Sequence, residues 1–524
     1  LQDPRIVEAL TKMSRKAHVV LLLTATPVSD DARNLLRLLQ LLDPEVFNDL
    51  NDVEKLRELQ DKQGAIEECL KAIRSEEPEA ARVTGAWKKA NIKDKEIEGH
   101  LKRAVKGEAS RHELHKMAAL IVDRYYPGAR MIRYRRKFLI QENPMPFRIF
   151  EQLDYKPVDE EVEVAGAMRN WLDLVRKAKL SEDPAAQQIS SALMQAVHSS
   201  PMAVSDWLAM RRGEMEDREG VTADPILLAL RADVNIAKLR GEKKALDQLD
   251  EANQKWYRAV RAIDVSGRAI ARSPRYQTFL DFLKQALKEE PDAHILVFTS
   301  FEANVHPLFL IVRKALQEKA EVFEMLGSQS RVEREKAAFE FQDIRDGSIL
   351  ISDELGGEGR NFQFASHIVH FDLPLAPWIV EQRIGRCDRV GRDEELDVDS
   401  QVIVAKGQLD EAFCDFFADG IGVFNDSIAP VESELDRVMR HVLKRCIEEG
   451  ASGVLDEIDP VAEQLEDARE RENAELLVRS AIGVEEAERI ASALDDSKEL
   501  ADLQRAVVKY ARLYESMIDE QANN

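Results

Sequence analysis

Between Ser273 and Ala405 the chain alternates short apolar runs with helical patterns, and this alternation restricts the fold more than any other feature. The runs are His294 to Phe298, Val322 to Met325, Ser348 to Ser352, His367 to Phe371 and Gln401 to Ala405. Helical patterns lie between most of them: one to about Leu316, one over Arg331 to Phe341, and one over Pro377 to Val390. Strands that alternate with helices build a parallel sheet covered on both faces, because each crossover must pass over the sheet. Ser273-Pro274 reads as an N-cap followed by proline at the first helical position. It opens a helix with Tyr276, Phe279, Leu280, Leu283 and Leu287 on one face.

The rest of the chain has a different texture. His18 to Leu23 reads as a strand ending in Thr24-Ala25-Thr26-Pro27, and Leu35 to Leu42 as a helix stopped by Pro44. From residue 31 to about 265 the pattern is helical, with Met117, Ile121 and Tyr125 forming one stripe and Val162, Met168, Trp171, Leu172 and Val175 another. Pro127-Gly128, Pro144, Pro146 and Pro157 punctuate it as a linker does. Charged amphipathic helix follows from about Asn425.

A chain of 524 residues exceeds one hydrophobic core, and 44% hydrophobic against 33% charged residues excludes disorder as its main state. No apolar run approaches a membrane span, and no signal peptide is visible. Cys69, Cys387, Cys414 and Cys446 are too scattered for a metal knuckle or a disulfide framework, so a reducing cytoplasm is expected. The net charge of −23 argues against a surface that embraces nucleic acid throughout, but the charge is uneven. Residues 431–524 hold 24 acidic and 12 basic side chains, whereas residues 101–137 hold 11 basic and 3 acidic.

Three segments carry candidate chemistry. In Ser348-Ile-Leu-Ile-Ser-Asp-Glu-Leu-Gly-Gly-Glu-Gly-Arg-Asn361 a buried strand runs into a glycine-rich turn. Gly356, Gly357 and Gly359 permit either close approach to a phosphate or a purely structural strand-to-helix turn. In Glu381-Gln-Arg-Ile-Gly-Arg-Cys-Asp-Arg-Val-Gly-Arg392, Arg386 and Arg389 are three apart and are expected on one helix face. Two planar guanidiniums there suit a transferring γ-phosphate. The third segment, Leu21-Leu-Leu-Thr-Ala-Thr-Pro27, is a strand end of the kind at which α/β sheets bind ligands. Weaker signals read more plainly. His112 and His115 are one helical turn apart with no third ligand in view, so no metal site is expected, and His367 and His370 are expected to be packing or hydrogen-bonded residues of a strand.

In this order the three segments resemble the superfamily-two helicases, and specifically the Swi/Snf family of DNA-dependent ATPases in its RapA-like bacterial branch. Leu23-Thr-Ala-Thr-Pro27 is similar to motif III, Ile295-Leu-Val-Phe-Thr-Ser-Phe301 to motif IV, Gly356 to Asn361 to motif V and Gln382 to Arg392 to motif VI. Leu326-Gly-Ser328 with Arg331 and Arg334 resembles a DNA-contacting motif, and Arg133-Tyr-Arg-Arg136 a basic inter-lobe linker. The resemblance covers about residues 1–50 and 270–420.

What it implies is an α/β fold: a RecA-like parallel-sheet lobe, the helicase C-terminal domain, with a large α-helical insertion and an α-helical C-terminal tail. The implied divisions are 1–30 (end of a first lobe), 31–265 (helical insertion, with the basic linker near 125–145), 266–425 (second lobe) and 426–524 (acidic tail). It implies Arg386 and Arg389 as arginine fingers, with Gln382, Gly357, Gly359 and Arg360 beside ATP and Mg²⁺. Thr24 and Thr26 would couple nucleotide state to lobe closure. Thr299, Gly327, Ser328, Arg334, Arg133, Arg135 and Arg136 would meet double-stranded DNA through its backbone. RNA polymerase or a nucleoprotein or defence complex is the further partner implied.

The sequence departs from the family pattern in two ways. No GxxxxGK[ST] loop and no DExH or DExD box before Thr24 occurs in it; the family order and the opening Leu1 lead one to expect both upstream. Asp353 stands where many relatives carry a threonine facing DNA, and an acid there would repel phosphate. A non-catalytic module that keeps the second lobe for binding, and an RNA-directed helicase, remain the alternatives.

Overall fold

The computed structural model describes residues 10–15, 20, 22, 32–42, 62–74, 80–105, 111–125, 147–213, 239–261, 273–316, 319–344, 346–357, 360–389, 392–393, 396–429 and 431–479. The chain divides into two compact units, residues 1–62 with 119–468 and residues 63–118 with 469–524. Among the described residues no helix is long and apolar enough to cross a membrane.

The larger unit is built on a six-stranded parallel sheet. Its strands are β1 (Arg148–Tyr155), β2 (His294–Phe298), β3 (Glu321–Met325), β4 (Ser348–Ser352), β5 (His367–His370) and β6 (Val398–Ala405), in the order β1-β6-β5-β2-β4-β3. Successive side chains of a strand point to opposite faces, so each strand divides its apolar residues between two cores. Ile295 and Val297 of β2, Ile349 and Ile351 of β4, and Val369 of β5 meet the helices Pro274–Glu289 and Glu302–Leu316. Leu296 and Phe298, Leu350, and Ile368 enter the opposite core. The continuous apolar runs in the sequence are thus strands buried on both sides.

That opposite core is closed by helices that lie between β1 and β2 in sequence and by a helix after β6. Asp159–Lys177, Pro184–Val197, Pro201–Arg212 and Glu242–Arg261 cover one part, and Trp171 meets Trp207 edge-on at a centroid distance of 5.3 Å. Asp183 and Ser200 accept the N–H groups of Ala186 and Ala203, each just before a proline at the first helical turn. Val431, Leu435, Val438, Met439, Val442 and Cys446 of the segment containing Glu432–Glu449 enter the same core. In the second unit the helices Gln63–Arg74 and Ala80–Ala90 bury Ile66, Cys69, Leu70, Ile73, Val83 and Trp87, and the Cys69 thiol donates to the Val83 carbonyl at 3.6 Å.

Several expectations are corrected. β1 lies inside the stretch read as helical insertion, yet it pairs along its whole length with β6, so the sheet takes in residues well before 266. The insertion expected over 31–265 is divided between the two units, and part of the tail expected from 426 is sheet-side core. The helix expected over Pro377 to Val390 ends at Ile384, where Gly385 caps it. Ser273 occupies the N-cap position but makes no side-chain capping bond, and Val162 is exposed.

One buried acid makes this packing pH-sensitive. Glu161, in the first turn of Asp159–Lys177, accepts the Val158 N–H at 3.2 Å and lies beside Tyr155 and Arg275. Burial raises its pKa to about 7 from 4.5, and Arg275 opposes the shift without cancelling it. A raised folded pKa means the fold favours the neutral acid. The contribution is complete below the unfolded pKa and is lost as pH rises through about 7. From about pH 4 to about pH 8, wild type should therefore lose on the order of 3 kcal/mol relative to Glu161→Gln in urea denaturation. A stability difference independent of pH would contradict this.

Candidate functional site

The candidate site is assembled at the carboxyl ends of β2, β3, β4 and β5, where open parallel sheets present ligand-binding loops. Its centre is Arg383, an arginine only 1% exposed. Its Nε donates to Glu354 Oε1 at 2.9 Å, and its Nη2 also pairs with that carboxylate. Nη1 donates to the Asp372 carbonyl at 3.0 Å and Nη2 to Ser300 Oγ at 3.0 Å. His370 Nδ1 lies 3.3 Å from Nη1, and the guanidinium sits over the Phe298 ring at 5.7 Å. Burial, with the Arg383 charge adding to it, pushes the His370 pKa well below its ordinary value. The ring is therefore neutral, with Nδ1 as acceptor. One side chain thus binds the loops after β2, β4 and β5. Sequence reasoning passed over it because four arginines stand three apart in that string and nothing local says which one faces inward.

Asp372 extends the arrangement. It accepts the hydroxyl protons of Thr299 and Ser199, both at 2.6 Å, and the Ser300 N–H at 2.6 Å. Asn304 donates to Ser199 Oγ at 2.8 Å and Thr299 Oγ1 at 2.9 Å, and accepts from Ser200 Oγ at 2.6 Å. Ser200 is also the N-cap of Pro201–Arg212, so the covering helices are tied to the same network. Thr299, expected to touch a nucleic-acid backbone, is fully buried in this network, and that expectation is corrected.

The glycine-rich turn is built on Asp353. This buried carboxylate accepts the Gly356 N–H at 2.5 Å and the Gly327 N–H at 2.9 Å through Oδ2. The acid therefore faces inward instead of repelling phosphate, and the Gly327 N–H is committed to it. Burial raises the Asp353 pKa to about 6, against the pull of both amide donors. Neither Gly356 nor Gly357 has a positive φ. A Cβ on Gly356 would lie 2.4 Å from the Met325 carbonyl oxygen, and one on Gly357 would lie 2.9 Å from Phe298. Of the two readings left open for this turn, these two glycines satisfy the structural one.

The remaining arginines divide by exposure. Arg392 is buried and donates to the carbonyls of Gln363, Leu396 and Asp397 at 2.6–2.7 Å. Arg386 and Arg389 are half-buried and lie in the turn after Ile384, so they share a loop and not the helix face expected. The Arg386 carbonyl accepts the Phe362 N–H at 2.9 Å. Arg389 donates to the carbonyls of Gly385 at 3.0 Å and Arg360 at 3.1 Å. Gln382 is half-buried on Pro377–Ile384, one residue before Arg383. Arg334 is half-buried and reaches the Leu355 carbonyl at 3.2 Å, while Ser328 is exposed and bonds Glu302. Burial lowers the Arg360 pKa, opposed by Glu335 and reinforced by Arg334 and Arg331. Gly359, Thr24, Thr26, Arg133, Arg135 and Arg136 lie outside the described residues.

A second buried arginine was also missed. Arg148 of β1 donates to Asp388 Oδ2 at 2.7 Å and to both Glu381 oxygens at 2.8 and 3.2 Å. The partners are more than 230 residues apart in sequence, and no local pattern announces them. The carboxylates of the edge are likewise engaged: Asp353 by amides, Glu354 by Arg383, Asp372 by hydroxyls. Among the described residues no group of three or more metal-ligating side chains is gathered to hold an ion.

Removing Arg383 would leave Glu354 buried and uncompensated. Arg383→Met should cost about 3–5 kcal/mol in chemical denaturation, part of it recovered by adding Glu354→Gln. A loss below about 1 kcal/mol would show that the guanidinium does not hold the loops together.

Comparison with known proteins agrees with the helicase resemblance. Residues 278–391 match the helicase conserved C-terminal domain. The chain is 31% identical over 232 residues to the RNA polymerase-associated protein RapA of Vibrio parahaemolyticus, which covers 43% of this chain and 23% of that protein. With the RapA of Pectobacterium atrosepticum it shares 32% over 230 residues, 42% of this chain and 22% of that one. The chain thus spans about a quarter of the length of these relatives. Among solved structures, the C-terminal part of the Fun30 ATPase domain overlaps 57% of this chain and 99% of its own, at 13% identity and a TM-score of 0.35. The Sulfolobus solfataricus SWI2/SNF2 ATPase core in complex with dsDNA overlaps 68% and 58%, at 16% identity and a TM-score of 0.32. The chain thus carries a helicase conserved C-terminal domain and is similar, over less than half of its length, to the RapA proteins.

Proposed function

We propose that this chain supplies the second lobe of a cytoplasmic ATP-dependent translocase on duplex DNA, with Arg386 and Arg389 as the donors that meet the γ-phosphate. The observation that carries this reading is the division of the arginine string. Arg383 and Arg392 are buried anchors on either side, and the pair between them stays half-buried on a loop at the edge of the sheet. Guanidiniums held by backbone contacts, as Arg389 is by Gly385 and Arg360, are preorganised and need little rearrangement to stabilise charge that develops on a phosphoryl group.

The other roles follow by position. Gln382 stands beside the pair on the preceding turn of helix. Ser328, on the turn after β3, and Arg334, on the helix Arg331–Asp343, supply backbone-directed contacts of the kind that track DNA without reading bases, and Arg360, after β4, stands with the nucleotide-facing residues. Arg133, Arg135 and Arg136 supply further charge from the basic run. Thr24 and Thr26 pass nucleotide state to the lobe. Mg²⁺, which neutralises phosphate charge in such reactions, would need carboxylates other than Asp353, Glu354 and Asp372, which amides, Arg383 and hydroxyls already engage. The relatives named RNA polymerase-associated make RNA polymerase the protein partner of this proposal.

A binding module without hydrolysis is the second reading. Full-length protein decides between them. On the first reading, duplex DNA stimulates ATP hydrolysis, and Arg389→Ala lowers kcat about 10³-fold with an unchanged melting temperature. Turnover equal to wild type in that variant would remove Arg389 from the chemistry. DNA retention with no hydrolysis in wild type would establish the module.

A further inference from the structure

The loop that carries Arg386 and Arg389 is held from outside by the strand that enters the sheet from the basic run. Arg148 is the second described residue after that run, and its side chain is 4% exposed. It grips Glu381, on the helix before the loop, and Asp388, which stands between the loop's two half-buried arginines and is itself 3% exposed. The same guanidinium donates to the carbonyls of Val423 and Asp426, both at 3.1 Å. Its neighbour Phe147 closes the other end of the segment. The Phe147 N–H donates to Asp397 Oδ1 at 2.8 Å and its carbonyl accepts the Val398 N–H at 2.9 Å. Ser427 adds a bond to Glu381 at 2.8 Å. The start of β1 therefore touches the arginine segment before, within and after the loop.

We propose that Arg148 is a positioning residue: through Asp388 it sets where Arg386 and Arg389 stand. A bidentate guanidinium fixes orientation as well as distance, which a single ammonium does not. Buried pairs are stiff because each charge lacks an alternative partner in water. The kinetic half of this inference rests on the hydrolase reading above, and the structural half does not.

Two measurements on full-length protein test it. In hydrogen–deuterium exchange, Arg148→Met and Arg148→Lys should each speed exchange of residues 385–389 at least tenfold, with β2 and β4 unchanged. If Arg148→Met fails to fold, Asp388→Asn removes the same pair with little change of shape and should give the same local effect. Unchanged exchange at residues 385–389 overturns the proposal. In steady-state hydrolysis, Arg148→Lys should lower kcat at least tenfold while KM for ATP moves less than about twofold, since the arginines act on the transition state. Combined with Arg389→Ala it should cause no further loss, because both changes remove one interaction. Full additivity, or an unchanged kcat, would show that Arg148 does not act through the arginines. A wild type that hydrolyses no ATP sinks the hydrolase reading and leaves the clamp to be judged by exchange alone.

Discussion

The guanidinium of Arg383 lies where no water can reach it and bonds the loops that follow β2, β4 and β5, through Ser300, Glu354 and the Asp372 carbonyl. Parallel strands end on the same side, and their loops have no backbone ladder to hold them together. A buried arginine supplies that connection with several donors in one rigid plane. Burying such a pair brings little net stability over apolar side chains, but breaking it exposes an unpaired charge to a dry interior. The role argued for Arg383 is therefore geometric: it allows one arrangement of the loops and penalises the others.

Asp372 carries the same constraint outward. Its carboxylate gathers Thr299, Ser300 and Ser199, and Asn304 and Ser200 extend the chain of bonds to the cap of Pro201–Arg212. The helices that seem by sequence to be an insertion are thereby bound to the edge of the sheet. On the opposite side of the arginine segment Arg148 makes a comparable attachment from β1. The loop that bears Arg386 and Arg389 is fixed from several directions while its two arginines remain half-buried.

Much of this was legible in the residues. Five of the six strands follow from short apolar runs: the central strands are buried on both faces and cannot hide their composition, and the edge strand β3 still buries Val322 and Met325. β1 escaped because Arg-Ile-Phe-Glu-Gln-Leu-Asp-Tyr mixes charge into an edge strand and prolines flank it, which reads as linker. The tail escaped in part because an acidic amphipathic pattern does not say what its apolar face covers, and residues 431–465 cover the sheet-side core. At the site, the motif string drew attention to Arg386 and Arg389 through resemblance and not through spacing. It could not separate them from the buried Arg383 and Arg392, since all four have the same spacing. Thr299 and Asp353 were assigned outward roles by resemblance and turn inward, because the loops need acceptors and donors for their own backbone.

On the proposed function, two loop arginines, preorganised by buried anchors, recognise a phosphoryl group in its transition state. Binding of ADP with aluminium fluoride to full-length protein tests this most directly. The account predicts that Arg386→Ala and Arg389→Ala each weaken this complex at least a hundredfold while leaving binding of ADP alone within about threefold, because the arginines act only where the γ-phosphate stands. Equal binding of the analogue by wild type and both variants would contradict it.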